Sequence, residues 1–90
     1  MDSYAIASFR SRSQVLRFEQ MLSRENIRTE IINTPREVAL GCGLSVKIDV
    51  RDIDKAREVY YKNRPTSFVG FYIVERAGTR TIVYGSKINI

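Results

Sequence analysis

A chain of 90 residues with 43% hydrophobic and 28% charged residues has room for one folded domain, residues 1–90, and no second core. The absence of histidine and a single cysteine exclude Ser–His–Asp and Cys–His nucleophile systems, histidine metal sites, zinc fingers, CxxC pairs and intramolecular disulfides. A net charge of +5 favours anionic partners, yet fifteen cations are spread along the whole chain among ten carboxylates, as on an ordinary solvated surface.

Residues 4–9, Tyr4-Ala5-Ile6-Ala7-Ser8-Phe9, have the β-prone character of a first strand. A secretory signal needs a basic start and a continuous apolar run, so no export signal is expected, and a lone cysteine suits a reducing, cytoplasmic setting. The longest apolar run, residues 68–74, falls far short of the roughly 20 residues of a membrane helix.

Past the first strand the period changes. Ser11 or Ser13 can cap a helix over residues 13–25, in which Val15, Leu16, Phe18, Met21 and Leu22 recur at spacings of three and four. Asn26 is a left-handed stop, and β-branched residues predict a second strand over 27–32. Thr34-Pro35-Arg36-Glu37 then reads as a capping box with proline at the first helical position, so Thr34, Pro35 and Glu37 form a structural cap. The helix predicted there is short, because Gly41 and Gly43 follow closely. Cys42 falls between those glycines, just before a third strand over 44–48.

Asp52 or Asp49 can cap a second long helix with Ile53, Ala56, Val59 and Tyr60 as its apolar stripe, ending near Asn63 before Pro65. A fourth strand follows over 68–75, and Gly78 turns a hairpin into residues 80–84. Ile82, Tyr84, Ser86, Ile88 and Ile90 continue the alternation on one face. This order predicts an α+β fold of the split βαβ, or ferredoxin-like, kind, with two helices on one face of a mainly antiparallel sheet and an added C-terminal β-hairpin.

The segment Pro35-Arg36-Glu37-Val38-Ala39-Leu40-Gly41-Cys42-Gly43-Leu44, with the upstream helix Val15-Leu16-Arg17-Phe18-Glu19-Gln20-Met21-Leu22, resembles the selenium/sulfur (Se/S) carrier-like family of small bacterial domains. Pro-Arg-Glu followed by Cys-Gly-Leu is the most specific part, and the likeness covers about residues 4–60. The hairpin and tail over 68–90 have no counterpart, and Gly41 stands where the family usually has a small hydroxyl residue. The resemblance implies a cytoplasmic carrier without a cofactor. Cys42 would be its carrier thiol, holding a persulfide or selenosulfide between sulfur or selenium donor and acceptor proteins.

The residues themselves bear on that implication. Gly41 and Gly43 would let a partner sulfur approach Cys42 closely, and the thiolate is the reactive form, at an ordinary pKa near 8.5. A small buried core position is the competing reading, since free cysteine is among the most buried residue types. Arg36 is the cation closest to Cys42 in sequence on the upstream side and a candidate anchor for an anion. From a helix its side chain would lean away from the thiol, and a helix carboxyl end beside Cys42 would oppose ionisation.

No cofactor motif or metal-ligand spacing occurs, so a carrier fits better than a stand-alone enzyme. The alternative is a non-catalytic protein-interaction or nucleic-acid-binding module. An RRM-like platform needs aromatics on its two central strands, and residues 44–50 carry none, which disfavours nucleic acid. Phe68, Phe71, Tyr72 and Tyr84 read as sheet packing. The apolar tail predicts a homodimer through the C-terminal strand, against the competing reading that it folds back on its own sheet.

Overall fold

Alternating apolar residues form five strands, and stripes at spacings of three and four form two helices. The chain runs β1 (Asp2–Phe9), α1 (Arg12–Arg24), β2 (Thr29–Asn33), β3 (Leu44–Ile48), a 3-10 turn (Val50–Asp52), α2 (Ile53–Asn63), β4 (Phe68–Ala77) and β5 (Arg80–Ser86). The computed structural model describes residues 2–38 and 41–86. The strands make one sheet in the order β2-β3-β1-β4-β5, and every neighbouring pair is antiparallel. The molecule is therefore α+β, with β2 and β5 at the edges.

Both helices bury most of their stripes in one cluster, with Leu16 of α1 left exposed. Val15, Phe18 and Leu22 of α1 and Ala56 and Val59 of α2 pack with Ala5, Ala7 and Phe9 of β1, Val46 and Ile48 of β3 and Phe71 of β4. Phe9 joins its aromatic part from β1, 5.3 Å from the Phe18 ring and 5.2 Å from that of Phe68, and buried Phe71 meets Phe18, Tyr60 and Phe68. Each such side chain contributes roughly 1.5–3 kcal/mol by leaving water. A hydrogen bond also ties α1 to the β2 edge: the Thr29 hydroxyl donates to the Glu19 carboxylate at 2.6 Å.

The chain stops follow local chemistry. Asn26 takes φ 62 after α1, as expected, and Gly78 takes φ 63 in the two-residue turn between Ala77 and Arg80. Arg64 adopts the left-handed conformation after α2 with φ 46, which the sequence did not predict. Asp49 accepts from the Arg51 amide and opens the 3-10 turn, so α2 begins only at Ile53 with Asp52 at its N-cap. Ser11 is the N-cap of α1, but its hydroxyl is paired with that of Ser13 at 2.8 Å.

Two expectations are corrected. The short helix after Thr34 is a single turn in the described part of that segment, closed by the Val38 amide on the Pro35 carbonyl at 2.9 Å. Instead of capping, the Thr34 hydroxyl pairs with the fully buried hydroxyl of Ser45 at 2.7 Å. A buried hydroxyl without a partner is costly, and that need outweighs a local cap. The sheet face away from the helices is partly covered. Val38 from this turn packs on Ile6 and Val74, with Tyr4, Ile32, Tyr72 and Val83 around them. Ile88 and Ile90 lie outside the described residues. Among the described residues no helix is long and apolar enough to cross a membrane.

Candidate functional site

Cys42 stands where the loop from β2 rejoins the sheet. Its amide donates to the carbonyl of Phe9, the last residue of β1, at 2.9 Å. At the neck of the same loop the Thr34 amide donates to the Gly43 carbonyl at 2.8 Å, beside the Thr34–Ser45 hydroxyl pair. The β1–β3 register ends at Ser8 opposite Ser45, so the Cys42–Phe9 bond carries main-chain pairing past the end of the ladder. The backbone is thus tied to β1 at Cys42 and to Thr34 at its neighbour Gly43.

The flanking glycines have different reasons. Gly41 has φ 115, and a Cβ there would stand 2.7 Å from the Ser8 hydroxyl and 3.0 Å from the Phe9 carbonyl. The chain's own first strand occupies that side. Gly43 has φ 90 with nothing within 4 Å of where its Cβ would be, so its side is open. A side chain is therefore excluded at Gly41 and has room at Gly43, while both glycines are exposed.

The thiol is half-buried and packs against the helix-side core. Its Sγ donates to the Leu44 carbonyl at 3.7 Å, a contact that only the protonated thiol makes. Because no helix of several turns precedes Cys42 within the described part of the loop, the expected opposition from a helix carboxyl end has no basis there. Arg36 and Glu37 are exposed in the turn, and Arg36 makes no hydrogen bond or ion pair among the described residues. Pro35 is half-buried and supplies the carbonyl that closes that turn. The structure thus joins Thr34, Gly43 and Cys42 at the loop neck and leaves Arg36 on the surface.

Sequence reasoning missed Ser8, Phe9 and Ser45 as the residues that seat this loop. Ser8 and Ser45 are fully buried. A serine inside an apolar strand is a visible signal of a polar contact, but only the register of β1 on β3 says that the two face one another. The end of β1 also meets the turn after α2: the Arg10 amide donates to the Ser67 carbonyl at 2.8 Å. Ser67 has φ 64 without being glycine, a conformation that costs about 1–3 kcal/mol and is over-represented near functional sites.

A second concavity, of about 460 Å³, lies toward the opposite end of the sheet and is lined by Ser3, Tyr4, Arg28, Glu30, Lys47 and Asp49. The Lys47 ammonium sits 4.8 Å from the Tyr4 ring centre. Asp49 is kept below the ordinary carboxylate range, first by its side-chain hydrogen bond from Arg51. The aromatics do not build a stacking platform. Phe71 is buried under the helices, Phe68 packs beside it, and the Tyr72 ring lies over Gly70. No group of metal-ligating side chains occurs among the described residues.

A family model described as Putative Se/S carrier protein-like matches residues 4–72, so the likeness extends past residue 60 and takes in the start of β4, which was expected to have no counterpart. No curated protein and no solved structure matches the chain.

Proposed function

Because the chain belongs to the Putative Se/S carrier protein-like family, we propose that Cys42 holds sulfur or selenium and passes it to a partner protein. The observation that carries this reading is the setting of the thiol. Main-chain hydrogen bonds fix its backbone, and the Gly43 side leaves an approach open. In the sulfur form, Cys42–SH reacts with a donor R–S–SH to give Cys42–S–SH and R–SH. The attacking thiolate takes the outer sulfur, the donor leaves as a thiolate, and one proton returns to it. Delivery to an acceptor thiol reverses these bonds, with no net oxidation. The added sulfur extends the side chain by about 2 Å, beyond the half-buried Sγ.

Arg36, exposed on the same loop, is read as an anchor for an acidic or anionic partner. Gly41 shapes the loop and Gly43 gives access. The donor and acceptor are proteins, since the chain has no cofactor motif and no imidazole to drive turnover of a small substrate. A cytoplasmic location suits a thiol that must stay reduced. The strand order β2-β3-β1-β4 supports reading the fold as a split βαβ, with β3 between β1 and β2 and with β5 as the addition.

Incubation with a protein persulfide donor followed by intact mass tests the reading. One sulfur atom is expected on the wild type and none on Cys42→Ser. A wild type that gains no sulfur or selenium, or a Cys42→Ser that still does, would overturn it.

A further inference from the structure

The β5 edge is built for a strand partner. Among the described residues it pairs only with β4, so its outer main-chain groups face no strand. Only Leu16, Ile82 and Tyr84 are large apolar side chains left exposed among the described residues, and the last two belong to β5, at 46% and 47% exposure. Ile82 is opposite Glu75 and Tyr84 opposite Ile73, which packs on the helix-side core, so both lie on the helix face. The other edge, β2, carries no large exposed apolar side chain and presents Glu30 and Asn33 to water.

We propose that β5 pairs antiparallel with β5 of a second copy, about a two-fold axis through Val83, to make a continuous sheet of two chains. This rests on the edge alone and is independent of the chemistry at Cys42. Of the antiparallel registers, only this one pairs the whole strand, Arg80–Ser86, with itself. It sets Ile82 opposite the second copy's Tyr84 and Tyr84 opposite its Ile82, which covers both exposed side chains. Opposed side chains on one face come within about 4.5–5.5 Å. Val83 meets its own copy on the other face, and Thr81 meets Gly85. Arg80 falls opposite Ser86, so no like charges oppose one another along the strand. An isologous patch of this kind closes after two chains and leaves no new edge for a third.

Sedimentation equilibrium at high micromolar concentration is expected to give twice the chain mass of 10.4 kDa. Ile82→Glu, at an exposed position, should return a monomer with an unchanged circular dichroism spectrum. Register is read by mild oxidation in a Cys42→Ser background. Val83→Cys should form a covalent dimer, because residues facing across the axis have Cα atoms within disulfide reach, about 4.5–5.5 Å. Ile82→Cys should cross-link far less, since its two copies are offset by two residues and lie about 8 Å apart. A wild-type monomer would overturn the proposal and leave the edge to a strand of another protein. A dimer that survives Ile82→Glu, or that fails to cross-link through Val83→Cys, would overturn it by placing the interface elsewhere.

Discussion

The Cys42 amide is hydrogen-bonded to the Phe9 carbonyl at 2.9 Å, while the Phe9 ring is fully buried under α1. The position of the thiol is therefore referred to the core and not to the loop that carries it. The bond uses only the backbone, so it leaves the Sγ to its own contact with the Leu44 carbonyl.

Gly41 and Gly43 should respond differently to a methyl group. Gly41→Ala places Cβ against Ser8 and Phe9 at a left-handed φ, and should cost about 1–3 kcal/mol in urea unfolding. Gly43→Ala enters open space and bears only the backbone penalty, about 1 kcal/mol. Equal losses at the two positions would contradict the close approach of Gly41 to β1.

Cys42→Ser should leave the fold intact. The side chain is half-buried, so its loss should stay near 1 kcal/mol, below the roughly 2–5 kcal/mol of an emptied core site. In the native state a maleimide should label the wild type more slowly than a free thiol but well before unfolding. Labelling that tracks global unfolding, seen by varying urea, would mark Cys42 as a core residue.

The loop neck should behave as a coupled unit. Thr34→Val leaves the buried Ser45 hydroxyl without its partner and should cost about 1–3 kcal/mol. Adding Ser45→Ala removes the orphaned group, so the double variant should lose less than the two single losses summed. A double-mutant cycle by urea denaturation measures the coupling, which should be near zero if the 2.7 Å contact is unimportant.

Tyr84 should titrate above ordinary tyrosine. Partial shielding from water comes first among the causes, followed by the negative charge of Glu75 and a hydrogen bond to it. The folded chain then holds the phenolic proton more tightly than the unfolded chain. Any stability from Tyr84 is complete below about pH 10 and lost as pH rises through its folded pKa. The phenolate absorbance difference between wild type and Tyr84→Phe reports the midpoint, and Glu75→Gln should lower it.

Element identity and most turns were legible in the residues because they depend on local spacing. The run from Val15 to Leu22 allows one helical face, Asn26 tolerates a left-handed φ, and Gly78 lets the chain reverse within two residues. The Cys-Gly-Leu segment marked the candidate site through its likeness to the Se/S carrier-like family. What the local pattern leaves open is any choice between a near partner and a distant one. Thr34 has a good cap partner three residues on, yet its hydroxyl goes to Ser45, eleven residues away, because burial makes the unpaired serine the more costly alternative. Val38 belonged to the predicted short helix, and only the packed sheet shows Ile6 and Val74 waiting beneath it. Alternation put Ile82 and Tyr84 on one face from the start. That they remain exposed there was decided by the sheet order, which sets β5 beyond β4 as an edge and leaves them without cover.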